Sequence, residues 1–253
     1  MGLEIAGGTV VVNHASKDHL YTGMYSNPSH TVIGDIDVFS VYRRKKSPGP
    51  ERRDRDAKRL GDNCPLIYAL KGKHGLNVEL SSIKRLMHFM PNILDKIVGE
   101  LPKDLTEIVT IPSAHPLATI LATRLGRRMF LPVRSDLLIK STCFEATRRA
   151  DQILKSNRFS VAREVEVDLR NTVKRLLKTA KSPYSSKDVL VPIRNYFDPL
   201  KICPDHTGLS AESKVLLVDD LLASGETIVA ANCLLSQLGL KARCMAVTWF
   251  GRV

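Results

Sequence analysis

Four consecutive apolar residues, Val215 to Val218, run directly into two carboxylates, Asp219 and Asp220, and then into the turn Leu221 to Glu226. A helical pattern opens at Thr227 and ends at Gly239. An unbroken apolar run of this kind is a strand buried on both faces. Ligands of open α/β sheets bind beyond the C-terminal ends of such strands. A loop entering a helix N-terminus presents unpaired backbone N–H groups and a partial positive charge, which suits a phosphate. Ser224 and Thr227 add hydroxyl donors, and Gly225 allows a close approach or an unusual backbone angle. The neighbouring acids can accept hydrogen bonds from a sugar diol. The combined chemistry is that of a phosphorylated sugar.

Other proteins carry an apolar run that ends in two acids. A receiver domain places such a pair after its first strand and builds most of its fold downstream, whereas only a short stretch follows Asp220. A Walker B strand needs a partner G-x-x-x-x-G-K-[ST] loop, and the chain contains none. A buried strand with a merely polar turn explains each feature singly. It does not explain why diol acceptors and a phosphate loop occur together.

The elements that must position these residues follow from apolar spacing. Glu107–Ile111 is a short apolar strand, followed by the loop Pro112-Ser113-Ala114-His115-Pro116. Leu117–Leu125 is helical with Gly126 as its cap, and Arg128–Arg134 is a second strand. Together these form a βαβ unit and require a parallel sheet. Asp188–Arg194, Ser213–Val218 and Ala242–Phe250 read as further strands. Upstream, Thr9–Asn13 and Thr31–Tyr42 are strand-like runs separated by turn-rich pieces such as Ser26-Asn27-Pro28-Ser29. Apolar residues recur at helical spacing over Asn77–Glu100, where Pro91 should kink or split the helix. Ser141–Lys181 is also helical, with Val165, Leu169, Val173 and Leu176 on one face. The expected class is α/β with a central parallel sheet. Residues 1–104 form a partly β region with a charged loop at 43–62, and residues 105–253 form the core with a helical insert at 135–186.

The pattern from Val215 to Thr227 resembles the ribose-phosphate motif of type I phosphoribosyltransferases, a specific signature of thirteen residues. The resemblance covers roughly Leu105 to Val253 and implies the Rossmann-like fold of that family, with phosphoribosyl pyrophosphate (PRPP) as substrate. It implies that Asp219 and Asp220 contact the ribose hydroxyls, and that Ala223, Ser224, Gly225, Glu226 and Thr227 wrap the 5′-phosphate. It also implies Mg²⁺, held mostly by ligand and water, with Asp219 and Asp220 as the candidate metal-binding carboxylates. The family's pyrophosphate loop maps onto Pro112, Ser113, Ala114 and His115. A Val-Arg step at Val133-Arg134 places Arg134 near the pyrophosphate as a candidate catalytic residue. The implied reaction transfers a 5-phosphoribosyl group to a nitrogenous acceptor and releases pyrophosphate, as in nucleotide metabolism.

In this family a mobile loop closes over the reactants, and its equivalent here offers Lys140, Arg148 and Arg149. The acceptor is recognised by a variable hood, which must come from the N-terminal region or the insert. Tyr21, Tyr25, Tyr42, Tyr68, Tyr184, Tyr196 and Trp249 could stack a base there. The layout, with Tyr68-Ala69-Leu70-Lys71 before a helix and a long basic insert, is similar to ComF-type competence-associated proteins. A divergent effector of a retron-type antiviral defence system would also fit an unusual N-terminal region and a long insert.

Charge distribution adds a second class of partner. The chain has 38 Lys and Arg against 26 Asp and Glu, a net charge of +12. Two segments, 43–59 and 140–181, carry the whole excess, which favours local recognition of an anion over a generally basic surface. A regulatory protein that reads nucleotide through the ribose-phosphate site and binds RNA or DNA through these segments is the competing function. The five cysteines are scattered without metal or redox spacing, and Cys233 and Cys244 read as core residues. The first six residues carry an acid where a secretory leader wants bases, and no apolar run approaches membrane-spanning length. A cytoplasmic protein without membrane contact is expected, with the apolar face at Asn77–Glu100 available to a homodimer.

Overall fold

The computed structural model describes residues 2–16, 18–45, 64–156, 162–205, 209–240 and 245–252. Most of the basic loop 43–62 and Cys244 therefore lie outside the described residues. Strands β1 (Gly2–Ala6) and β2 (Thr9–Asn13) form an antiparallel hairpin. The run Thr31–Tyr42 proves to be two strands, β3 (Ser29–Ile33) and β4 (Ile36–Tyr42), because the chain reverses at Gly34-Asp35 and sets Ile33 opposite Ile36. A six-residue helix α1 (Pro65–Leu70) leads to β5 (Asn77–Val78), which joins β2 in parallel. Pro91 splits the next helical stretch into α2 (Leu80–Met87) and α3 (Met90–Glu100). It falls in the first turn of α3, where a missing N–H breaks no helical hydrogen bond.

The βαβ unit consists of β6 (Glu107–Thr110), α4 (Leu117–Met129) and β7 (Val133–Arg134). Gly126, expected as the helix cap, lies inside α4, and Phe130 takes the left-handed terminal position with φ 57°. The glycine serves close packing instead. A Cβ built on Gly126 would lie 2.8 Å from Val133 Cγ2 and 2.9 Å from the Leu131 carbonyl oxygen. In an exposed helix, Gly→Ala stabilises by up to about 1 kcal/mol. At Gly126 the sign should reverse, with Gly126→Ala losing about 1–3 kcal/mol through overpacking. Urea unfolding should show this as a lower midpoint with an unchanged slope.

After β8 (Leu138–Lys140) come two helices, α5 (Cys143–Lys155) and α6 (Arg163–Leu177). Thr142 and Glu145 form a reciprocal capping box at the start of α5. The insert closes only at β9 (Leu200–Ile202), which pairs antiparallel with β8, so it runs well past residue 186. Asp188–Arg194 is not a strand. It falls across two 3-10 turns, Ser186–Asp188 and Val191–Tyr196. Val189, Ile193 and Phe197, spaced by four, bury together against Leu169, Val173 and Leu176 of α6, while Pro192 has no N–H for a strand ladder. The chain finishes with β10 (Val215–Leu221), α7 (Glu226–Gln237) and β11 (Met245–Phe250).

The protein is α/β. Six strands form one sheet in the order β3-β4-β11-β10-β6-β7, with the β3–β4 pair antiparallel and every other pair parallel. That arrangement is compatible with a Rossmann-like fold. Residues on both sides of position 104 build this sheet, since β3 and β4 come from the N-terminal region. Alternation along β10 divides the core: Leu216 and Val218 pack with α3, α4 and the small sheet, while Val215 and Leu217 pack with Ile228, Ala231 and Leu235 of α7. Cys233, read from sequence as a core residue, is exposed on the outer side of α7. Both sheet faces are covered, so the edge formed by the C-terminal ends of the parallel strands is where polar groups collect.

Candidate functional site

Strand β10 continues through both acids before it ends, with Asp219 opposite Thr248 and Leu221 opposite Phe250 of β11. Side chains of a strand alternate between faces, so the two carboxylates diverge from adjacent backbone positions. Asp219 Oδ1 accepts a hydrogen bond from the Asp220 backbone N–H at 2.7 Å. Burial and the neighbouring Asp220 carboxylate push the Asp219 carboxyl up to about 7, against the opposing pull of Lys71 and Lys140. Asp220 is the more enclosed by side-chain exposure, at 8%. Its Oδ2 receives both the Lys71 ammonium at 2.6 Å and the Ser113 hydroxyl at 2.8 Å.

Ser113 belongs to the loop after β6, so that loop meets the end of β10 at one carboxylate oxygen. The Ser113 hydroxyl also lies 3.5 Å from the His115 backbone N–H. Ala114 is exposed beside it. Beyond Asp220, Leu222 is fully buried and its N–H bonds the Phe250 carbonyl at 2.8 Å, pinning the base of the next loop. Ala223 and Ser224 are exposed, and Thr227 is half-buried. Gly225 precedes α7 with φ 84° and has no side chain to cap the helix start; the Ser224 hydroxyl lies 3.5 Å from the Glu226 backbone N–H. The first-turn acid, Glu226, faces Arg194 at 4.0 Å. Arg44 fastens this region from outside, donating to the Leu222 carbonyl at 2.8 Å and to the Gly251 carbonyl.

Asp219, Asp220, Ser113 and the Ala223–Thr227 loop therefore share one strand edge. Arg134 stands apart from them. It pairs with Val109 across β6–β7, and Val109 pairs with Leu217 across β6–β10. That places it two positions short of Asp219, with β6 between. Its guanidinium lies 3.7 Å from Glu107 at the start of β6 and 3.9 Å from Asp136 just beyond the end of β7.

The cations that do reach the acid pair come from elsewhere. Lys71 ends α1 and leads into a turn in which His74 holds a left-handed φ of 59° and packs edge-on against Tyr68. Lys187 sits on the Ser186–Asp188 turn of the insert. Partial burial and the charges of Lys73, Lys71 and Lys140 hold its ammonium below the usual lysine range, while Asp220 pulls the other way. Of the loop candidates Lys140, Arg148 and Arg149, the Lys140 charge acts on Asp219, while Arg149 pairs with Asp198 at 3.7 Å. Lys71 had appeared in the sequence only as part of a layout. Lys73, Lys187 and Arg194 had no signal, because isolated bases look alike in so basic a chain.

The described parts of the two basic segments are partly occupied by local contacts. Arg43 lies over the Tyr21 ring, Lys155 pairs with Asp151 and Arg170 with Glu166. Arg163, Lys174, Lys178 and Lys181 are exposed along and just beyond α6. Of the aromatic candidates, Tyr42, Tyr184 and Trp249 are buried as core, and Trp249 donates to the Leu117 carbonyl at 2.7 Å. Among the described residues no group of three or more His, Cys, Asp or Glu could hold a metal ion. No helix there is long and apolar enough to cross a membrane. No family model, curated protein or solved structure matches the chain.

Proposed function

We propose that the chain binds PRPP with Mg²⁺ at the C-terminal edge of β10, in a type I phosphoribosyltransferase fold, and transfers the 5-phosphoribosyl group to a nitrogenous acceptor. The observation that carries the reading is the continuity of β10, the Asp219–Asp220 pair and a loop, exposed at Ala223 and Ser224, that enters α7 through a glycine N-cap. A helix start of that kind leaves backbone N–H groups for an anion. Ser224 and Thr227 lie where their hydroxyls can join those amides around a 5′-phosphate. Asp219 and Asp220, a few residues back, accept hydrogen bonds from the ribose hydroxyls.

Two carboxylates suit a Mg²⁺ that arrives on ligand oxygens and keeps several waters; a protein cage of three or more acids is not required. When bound, the metal neutralises charge on the diphosphate. The protein's own contribution is positional and electrostatic. The phosphate loop and the acid pair fix the sugar from two sides. The ammonium groups near Asp220 supply positive charge where a leaving diphosphate needs it. No protein nucleophile is involved.

Calorimetry with PRPP and Mg²⁺ tests the reading. Asp220→Asn should weaken binding by about a hundredfold, as expected when an ionic acceptor with several partners becomes neutral. Unchanged affinity would remove the assignment. Mass spectrometry of PRPP incubated with pooled bases then identifies the acceptor through the mass of the product nucleotide.

A further inference from the structure

We propose that the helical hairpin of the insert, α5 packed against α6, is a docking surface for single-stranded nucleic acid. A nucleobase stacks on Phe144, and Arg148, Lys174, Lys178 and Lys181 hold the phosphates. The inference does not rest on the ribose-phosphate reading, and neither decides the other. The start of α5 is fixed against the stretch that follows α6. The Phe144 N–H donates to the Ala180 carbonyl at 2.9 Å, and the Cys143 N–H to the Ser182 carbonyl at 2.8 Å. Between the helices, Ala146 and Ala150 of α5 share a core with Leu169 and Val173 of α6. On the outside lies a groove of about 220 Å³, lined by Phe144, Thr147, Arg148, Asp151 and Gln152 of α5 and by Leu177 of α6.

The groove joins a flat apolar surface to cations that nothing neutralises. Phe144 is 56% exposed and Leu177 41%. Phe144, Arg148 and Gln152 follow one another at four-residue steps and so stand in one row along α5. The ring gives a base a stacking platform, and the amide one turn beyond Arg148 can meet the base edge. Residues 169–187 contain six Lys and Arg and no acid. Several cations of the insert are matched locally: Lys155 with Asp151, Arg170 with Glu166, Arg149 with Asp198 and Lys201 with Glu145. Among the described residues, Arg148, Lys174, Lys178 and Lys181 have no acid at ion-pair distance, and all four are exposed. Lys174 and Lys178 stand about 6 Å apart along the helix axis, a step comparable to that between successive phosphates of an extended strand. The helix dipole accounts for cations in the last turn of α6. It does not account for Arg148 on the facing helix or for an exposed phenylalanine beside it. In a duplex the base faces are covered by their neighbours, so a ring in a groove serves unpaired bases. An acidic peptide would use the cations and leave the ring without a planar partner.

Fluorescence anisotropy of the full chain with labelled oligo(dT) and, separately, oligo(U), each about 12 nucleotides long, tests the surface. Wild type should bind, with affinity falling as salt rises. Phe144→Ala should weaken binding about tenfold through lost stacking. Combining Arg148→Gln, Lys178→Gln and Lys181→Gln should weaken it further and flatten the salt slope by about 2, at about 0.7 per phosphate contact on a single strand. Lys84→Gln, which removes an exposed charge from α2, should leave affinity and slope unchanged. The triple variant alters only exposed side chains, so it reports even if Phe144→Ala fails to fold. Failure of wild type to bind either oligonucleotide overturns the proposal, as does a duplex of the same length that displaces the label better than the single strand. Heparin displacing the label equally well, with Phe144→Ala at wild-type affinity, overturns the base platform in favour of a general anion surface. Co-sedimentation with phosphatidylserine vesicles that the triple variant loses, with no oligonucleotide bound, assigns the surface to a membrane instead.

Discussion

Asp219→Asn is expected to lose PRPP binding and, in the free protein, to become more stable than wild type above neutral pH. Burial and the adjacent Asp220 charge hold the Asp219 carboxyl at about 7, against about 3.9 in an unfolded chain. Between these values the folded state keeps a proton that the unfolded state has released. The stability this group contributes is therefore complete below pH ~4 and is lost as pH rises through ~7. At pH 8 wild type carries an ionised Asp219 beside Asp220, and the asparagine variant does not. Asparagine can still accept the 2.7 Å hydrogen bond from the Asp220 backbone N–H, so the local fold is kept. Asp219 retains some contact with solvent, which places the expected gain at about 1–3 kcal/mol, below the full worth of a rise from about 3.9 to about 7. Thermal unfolding across pH 4 to 8 checks it: the gap in Tm should open with rising pH and close near 4. A gap independent of pH would mean that the carboxylate's charge is not its source.

Much of the sheet was legible in the sequence because its strands are short, apolar and bounded by polar turns. Val215–Val218 and Glu107–Ile111 could hardly be anything else, and the Pro91 break follows from proline chemistry alone. Where the reading went wrong, tertiary contacts had replaced local rules. Gly126 looks like a cap from its neighbours and is in fact a packing notch for Val133. Asp188–Arg194 has the composition of a strand, but its buried residues recur every fourth position around Pro192. The site divides in the same way. Asp219, Asp220, Ser113 and the Ala223–Thr227 loop were visible because each belongs to a local strand-loop unit. Lys71, Lys187 and Arg194 belong to segments about 30–150 residues away along the chain from the groups they face, and nothing in a single basic residue announces such a partner.

Gly225→Ala should be the most damaging single-methyl change at the site. Its φ of 84° lies in the left-handed region, which costs an L-residue about 1–2 kcal/mol. The added Cβ would also sit 2.8 Å from Ile33 Cγ2 and 3.2 Å from Ile33 Cγ1. Ile33 is β-branched and ends the edge strand β3, so it cannot turn its methyls aside without changing its preferred rotamer. Backbone and steric terms together predict a loss of about 2–4 kcal/mol and a displaced Ala223–Thr227 loop, with binding of ribose 5-phosphate, the ligand proposed for it, reduced by at least tenfold in the folded fraction. A double-mutant cycle separates the two causes. Ile33→Ala removes both close carbons, so combined with Gly225→Ala it should recover the steric share and leave the backbone share behind. Urea unfolding of the four proteins reads the coupling. Strict additivity would assign the whole loss to backbone conformation, whereas full recovery would assign it to Ile33. Recovery of stability without recovery of ribose 5-phosphate binding would show that the left-handed glycine itself aims the loop amides at the phosphate.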